Sequence, residues 1–492
     1  MTDNTYIILA FISYLGLMMG IGLFCDRRTH NMADYILGNR KLGAWVTSMS
    51  AEASDMSGWM LMGLPGYAYL AGLNAGWIAL GLALGTFANW HFVAKRLRKF
   101  TEIANNSLTL PDFFRNRYHD SSNLLRIIPA LFILIFFIIY TSSSFVASGK
   151  LFATVFGIPY THAVLIGAFV VIFYTLVGGF LAVSWTDFIQ GIMMFFAIII
   201  VPATAAHLLG GFQSTMNSLS IIDASLFDPF TKSDGSNISL IEIISLLGWG
   251  LGYFGQPHIL VRFMAIRSSK EIKQATQIAM TWVVISLAAA VLVGMVGRAY
   301  LTVPLEGQLS ETVFLVMTHE LFSSFFAGLV LSAVLAAIMS TASSQLLVAA
   351  SAFAQDFYHA LLHKESHPRE LIWVSRTSVL VIAAIAIFLA MTPDNLILDI
   401  VAYAWAGFGA AFGPALLATL FWRRTTRNGV LAGIVTGGLT VLIWKQFAWF
   451  GLYEIVPGFI FSLLAIFLVS KLDKEPPAEV TAMFDKVKHS DI

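Results

Sequence analysis

Two stretches carry residue types that bind small ions and polar solutes. In SMSAEASDMSGWMLMGLPGYAYL (48–70), Asp55 lies between Ser54 and Ser57 and is followed by Gly58, Gly63 and Pro65. In LSAVLAAIMSTASSQLLVAAS (331–351), Ser340, Thr341, Ser343 and Ser344 crowd together, with Ser340 and Ser344 on one helical face by their i,i+4 spacing. Carboxylate, hydroxyl and carbonyl oxygens are the ligands hard cations prefer. A third stretch, LLGWGLGYFG followed by Gln256 and Pro257, sets Trp249 and Tyr253 among Gly248, Gly250, Gly252 and Gly255. Asp187 stands in GGFLAVSWTDFIQ. Each feature has a plainer reading: Asp55 as a helix cap, the hydroxyl row as close helix packing, Asp187 as a carboxylate at a helix N-terminus.

What decides between these readings is the medium. Of 492 residues, 58% are apolar or aromatic and 12% charged, about half the usual charged fraction of a soluble protein. Lys+Arg (29) and Asp+Glu (28) nearly cancel, which leaves no field for nucleic acid. The one cysteine, Cys25, allows neither an intramolecular disulfide nor a cysteine metal cluster. Runs long enough to cross about 30 Å of hydrocarbon occur near 6–25, 44–70, 72–94, 124–155, 160–180, 188–210, 238–262, 274–300, 313–354, 371–391, 396–422, 428–447 and 453–471. The expectation is an all-α, polytopic membrane protein of about thirteen spans.

Orientation follows from the basic residues. Arg27, Arg28, Arg40, Lys41, the Lys95–Lys99 cluster, Arg115, Arg117, Arg126, Arg262, Arg267, Lys270, Lys273, Lys364, Arg369, Arg423, Arg424, Arg427, Lys471 and Lys474 fall on one side if thirteen helices alternate. The other side holds Lys232, Arg298 and Lys445, with Lys150 near the end of span 4. This places the N-terminus outside and the C-terminus in the cytoplasm. No phosphate-binding glycine loop occurs, which disfavours an ATP-driven pump, and no HExxH or GxSxG motif suggests an intramembrane hydrolase. No enzyme activity is expected.

Spans 2 and 7 are interrupted by glycine and proline, which remove helix propensity and a backbone donor. In lipid such breaks persist only where they line a protein cavity. The two lie five spans apart, as they would if spans 2–6 and 7–11 were inverted repeats around a central site. A carboxylate at that depth, Asp55, is a functional candidate in its own right.

The segments DYILGNRKLG (34–43), ASDMSGWMLMGLPG (53–66), GGFLAVSWTD (178–187), LLGWGLGYFGQPHIL (246–260), MSTASSQLL (339–347), YAWAGFGAAFGP (403–414) and WKQFAWFGLYEIVPGF (444–459) resemble the sodium/solute symporter family, in its proline branch. The resemblance covers nearly the whole chain up to about residue 472. It implies a LeuT-type fold: an extra N-terminal helix (6–25), repeat one (44–210), repeat two (238–422), two C-terminal helices (428–471) and a cytoplasmic tail (473–492). It implies sodium-coupled uptake of L-proline across the bacterial inner membrane by a protein functional as a monomer, with sodium as coupling ion and no other cofactor. Carried over by position, the sodium ligands are the carbonyls of Ala53, Met56 and Ala337 and the hydroxyls of Ser340 and Thr341, with Asp55 and Ser57 as sensitive neighbours. A second sodium would use Asp187, Ser343 and Ser344. The proline pocket would involve Tyr140, Trp249, Tyr253, Pro257 and Gly63. One departure is Glu52, where relatives usually place a small residue; it would titrate, pair with Arg40 or Lys41, or face the cytoplasmic vestibule.

Overall fold

The computed structural model describes residues 3–26, 32–177, 179–232, 236–362, 368–392 and 395–489. Arg27, Arg28, Gly178 and Lys364, used above, lie outside them. Among the described residues the chain is helical, with two isolated β-bridges in place of any strand. Among the described residues, ten helices are long and apolar enough to cross a membrane. Large apolar side chains such as Phe169, Phe196 and Phe388 face outward, on a surface water would not tolerate. Serines, threonines, carboxylates and arginines are buried within. The distribution is that of a protein whose solvent is lipid.

The two interrupted segments fold as expected. The first runs as Ala44–Asp55, leaves helical backbone at Met56 (φ −81°, ψ 81°), and resumes as a π-helical turn Trp59–Gly63 and the helix Leu64–Ala71. The second begins at a capping box, in which Ser239 and Glu242 exchange hydrogen bonds with each other's backbone. It passes through Leu240–Leu247 into a 3₁₀ stretch, Gly248–Gly255, turns extended at Gln256, and restarts with Pro257 in the first turn of Pro257–Ala265. Leu42 bridges Ile266, which puts the start of the first broken helix beside the end of the second. The two therefore run in opposite directions.

The glycines of the second segment do more than weaken a helix. A Cβ at Gly81 would meet Leu247 O at 2.5 Å, and one at Gly85 would overlap the Gly250 carbonyl. Gly252 lies against the Trp405 indole and Gly255 against the Phe408 carbonyl. Backbone thus meets backbone or ring on two sides of the 3₁₀ stretch, and only glycine leaves the room.

Three expectations change. The run 313–354 is two helices, Val313–Leu321 and Ser324–Ala352, separated at Phe322 by extended backbone. Lys150, read as a flanking charge, is buried and paired with Glu311 at 2.6 Å; Glu311 in turn accepts from the backbone N–H groups of Ile397 and Leu398 at 2.9 and 3.1 Å, capping the helix Ile397–Phe421. The polar tail contains the helix Ala478–His489, docked through Val480, Phe484 and Val487. Phe484 meets Phe100 at 6.0 Å, Arg117 donates to Val480 O at 2.8 Å, and Arg423 pairs with Asp485 at 2.8 Å.

The glycine crossing yields a stability prediction. Gly85→Val forces a branched side chain into the Gly250 backbone and should cost about 1–3 kcal/mol or more. Gly16→Ala, with nothing within 4 Å of its Cβ position, should stay within about 0.5 kcal/mol. Thermal unfolding in detergent compares them, and equal melting would contradict the crossing.

Candidate functional site

At each break, backbone carbonyls accept hydrogen bonds from side chains of the same segment and of other helices. At the first break, Asp55 O accepts from Trp59 Nε1 (3.0 Å) and from the Tyr140 hydroxyl of Leu124–Phe156 (3.3 Å). Ala53 O accepts from Ser340 Oγ (2.7 Å) and Thr341 Oγ1 (3.4 Å), and Ser340 Oγ also lies 3.2 Å from Ala337 O. At the second break, Trp249 O accepts from Trp405 Nε1 (2.7 Å), Tyr253 O from Asn89 Nδ2 (2.9 Å), and Gly252 O from Gln256 Nε2 (3.1 Å).

Four of the five oxygens expected to bind sodium therefore converge: the carbonyls of Ala53 and Ala337 and the hydroxyls of Ser340 and Thr341. A hydroxyl is donor and acceptor at once. With their protons rotated away, the Ser340 and Thr341 hydroxyls would present lone pairs beside Ala53 O. Met56, the fifth residue, is where the backbone leaves the helix. Ser57 lies within the break; its Oγ is 3.4 Å from the Trp59 N–H.

Asp55 is fully buried, and its Oδ2 accepts from the Tyr253 hydroxyl at 2.7 Å. One carboxylate thus ties the first broken helix to the second. Around it lie aromatic rings: Trp59 and Trp249 at 6.4 Å, Trp249 and Tyr453 at 5.7 Å, Tyr253 edge-on to Trp405 at 5.0 Å. Trp249 and Tyr253, at i,i+4, would share a face of an α-helix. In a 3₁₀ helix, with three residues per turn, that spacing turns them about 120° apart. Trp249 meets Trp59 and Tyr453, while Tyr253 meets Asp55 and Trp405. A Cβ added at Gly63 would lie 3.4 Å from the Leu398 Cβ, ordinary packing contact. Pro257 lines a crevice with Val261, Met264, Phe180 and Leu347, whose lining includes neither Trp249 nor Tyr253.

Asp187 is not at a helix terminus. It sits two turns inside Phe180–Leu208, fully buried, and accepts from Ser50 Oγ (2.7 Å) and Arg262 Nη2 (3.1 Å). The same Arg262 nitrogen donates to Ser344 Oγ at 2.6 Å, and Arg262 Nε lies 3.1 Å from Ser50 Oγ. Asp187 and Ser344 are thus joined through a guanidinium, while Ser343 Oγ donates to Ser340 O at 3.2 Å. Arg262, counted as a loop charge, is wholly buried in Pro257–Ala265. Glu52 does not pair with Arg40: its Oε1 accepts from Trp90 Nε1 at 2.9 Å, while Arg40 serves Asn106, Thr101, Met264 O and Ser107 O.

Sequence reasoning passed over Trp59, Asn89, Trp90, Trp405 and Arg262. Trp59 stands within the quoted motif, four residues after Asp55. The others act through contacts far along the chain, which no local pattern announces.

Comparison with known proteins adds the following. The sodium:solute symporter family matches residues 35–437. The chain is 50% identical over 489 residues to the sodium/proline symporter of Escherichia coli K12, covering 98% of this chain and 96% of that one. It is 48% identical over 472 residues to the high-affinity proline transporter PutP of Bacillus subtilis 168, covering 95% and 98%. Its fold is similar to a sodium-coupled sialic acid symporter solved in a substrate-bound outward-open state, with a TM-score of 0.80 at 18% identity over 96% of this chain and 99% of that one.

The buried ion pair makes its own prediction. Arg262→Ala leaves Asp187 charged and unpaired in the interior, a loss of about 3–5 kcal/mol. Adding Asp187→Asn should restore part of it, since the uncompensated charge is then gone. A double-mutant cycle of melting temperatures measures this, and additive losses would refute the pairing.

Proposed function

The chain belongs to the sodium:solute symporter family, and on that footing we propose that it takes up L-proline together with sodium across the bacterial cytoplasmic membrane by alternating access. Its relatives in Escherichia coli and Bacillus subtilis, about half identical over nearly their full lengths, carry the names of proline transporters. The observation that carries the reading is the contact of Ser340 and Thr341 with the freed carbonyl of Ala53. A sodium ion held by Ala53 O, Met56 O, Ala337 O, Ser340 Oγ and Thr341 Oγ1 bridges the first broken helix to Ser324–Ala352. Asp55 and Ser57 support it from beside the site.

In this reading thirteen crossings, with the N-terminus outside and the C-terminus cytoplasmic, comprise the extra helix 6–25, inverted repeats 44–210 and 238–422, the helices 428–471 and the tail 473–492. The antiparallel broken helices support the inversion. The protein acts as a monomer in the lipid bilayer, and sodium is its only accessory group. Proline lies among Tyr140, Trp249, Tyr253, Pro257 and Gly63. The aromatic walls cover its ring, and its secondary ammonium gains a cation–π contribution of about 0.5–2 kcal/mol. Sodium at Asp187, Ser343 and Ser344 belongs to a state in which Arg262 has swung away from Asp187.

Sodium stabilises the arrangement in which the Asp55–Tyr253 contact orders the second break, so proline meets a formed pocket. Coupling requires that the ion favour one state over the other. One charge crossing 100 mV adds about 2.3 kcal/mol to accumulation.

Proteoliposomes with imposed sodium, lithium and proton gradients test the assignment. Labelled proline should accumulate with the sodium gradient. Ser340→Ala and Thr341→Ala should each raise the sodium needed for half-maximal uptake roughly 10- to 100-fold, the loss of a ligand worth about 1.5–3 kcal/mol to a charge. Uptake driven equally by protons in sodium-free buffer would replace sodium as the coupling ion.

A further inference from the structure

The helix Pro257–Ala265 restarts the chain after the second break, and His258 is its second residue. The side chain is fully buried, yet neither ring nitrogen, Nδ1 or Nε2, has a hydrogen-bond partner. Its neighbours are rings of Leu124–Phe156: Phe137 at 5.7 Å and Tyr140 at 5.9 Å between centroids, both steeply inclined to the imidazole. A neutral imidazole carries one donor and one acceptor. Burying both unmet costs free energy that a phenylalanine, packed among the same rings, would not incur. The imidazole is therefore suited to meet a polar group that the chain itself does not supply.

Its position narrows the choice of that group. Side chains lean toward the N-terminus of their helix, so the imidazole leans toward Gln256, where the backbone is extended. That terminus carries the positive end of the helix dipole and favours an anion. Two residues placed against the solute above adjoin His258, Pro257 in sequence and Tyr140 in ring contact. The hydroxyls of Tyr140 and Tyr253 are both given to Asp55, at 3.3 and 2.7 Å, which leaves a solute carboxylate without a phenol donor. Arg262, one turn further along, is bonded to Asp187, Ser50 and Ser344. Its Nη1 also donates to His258 O at 2.7 Å, which holds this turn of the helix in place.

We propose that His258 binds the carboxylate of the transported amino acid, an imidazole N–H donating to it at the N-terminus of Pro257–Ala265. The residue thereby selects solutes that carry a carboxylate beside the ring nitrogen. This rests on the reading of the chain as a proline symporter and adds to it the group that recognises the solute's acidic end. The aromatic walls cover the other end. Because His258 belongs to the half-helix after the second break and Tyr140 to Leu124–Phe156, the bound carboxylate sits where those two elements meet.

Calorimetric titration of the purified protein in detergent and sodium chloride compares L-proline with L-prolinamide, which keeps the ring and its ammonium but has no carboxylate. The wild type should favour L-proline. His258→Phe, which preserves the packing against Phe137 and Tyr140, should weaken L-proline roughly 10- to 100-fold and leave the amide and sodium binding unchanged. His258→Ala should lose the same preference, and stands in if the larger ring does not fold. Equal weakening of both compounds, or of sodium with them, would reduce the imidazole to packing and overturn the proposal. So would a wild type that binds the amide as tightly as L-proline, or a His258→Phe variant that binds L-proline as the wild type does. With an amide too weak to titrate, loss of L-proline in His258→Phe at intact sodium binding supports the proposal, and unchanged L-proline binding overturns it. A wild type that binds neither compound strikes the proline reading itself, a result distinct from a wild type that binds L-proline and a variant that does so equally.

Discussion

Backbone that has left its helix inside a membrane must find partners in the protein, since lipid offers none. This constraint organises the molecule. The carbonyls exposed at Ala53, Asp55, Trp249, Gly252 and Tyr253 are each met by a side chain: hydroxyls of Ser340 and Thr341, the Trp59 and Trp405 indoles, the Tyr140 phenol, the Gln256 and Asn89 amides. All but Gln256, which sits at the second break itself, come from five different helical segments. The breaks are therefore the points to which most of the bundle is tied, and any change in their occupancy is felt by several helices at once.

Neutral carbonyl and hydroxyl oxygens suit a small alkali ion because they can bind it and then bond to each other. Ser340 and Thr341 do the latter here, donating to Ala53 O. In the proposed cycle such a site would empty at low cost, which a carrier needs and a structural metal site does not. The Asp187–Arg262 pair behaves differently. In this conformation it is a buried charge pair, bonded to Ser50 and Ser344, that joins Phe180–Leu208, Ala44–Asp55, Pro257–Ala265 and Ser324–Ala352 on the side of the bundle where the two broken helices abut.

Much of this was legible in the amino-acid order. Glycine and proline at 248–257 and 58–65 marked both breaks, because in lipid there are few other reasons to spend helix propensity so freely. The hydroxyl row at 340–344 was visible for the same reason. Arg262 misled, since a basic residue near the end of an apolar run reads as a loop charge. Only the fold shows that the helix continues past it and that Asp187, 75 residues earlier, lies alongside. The 3₁₀ winding of Gly248–Gly255, which separates Trp249 from Tyr253, depends on the close approach of Gly81 and Gly85 from another helix. The docked tail was read only as a tail: Val480, Phe484 and Val487 follow helical spacing, but the surface they cover is built by residues 95–117.

The central claim is that an ion between the first broken helix and Ser324–Ala352 shapes the pocket for the solute. Equilibrium binding of labelled proline to the purified protein, in sodium chloride and in potassium chloride of equal ionic strength, tests it without the complications of transport. The account predicts saturable binding in sodium and little in potassium. Equal binding in both salts would contradict it, because the pocket would then exist without the ion.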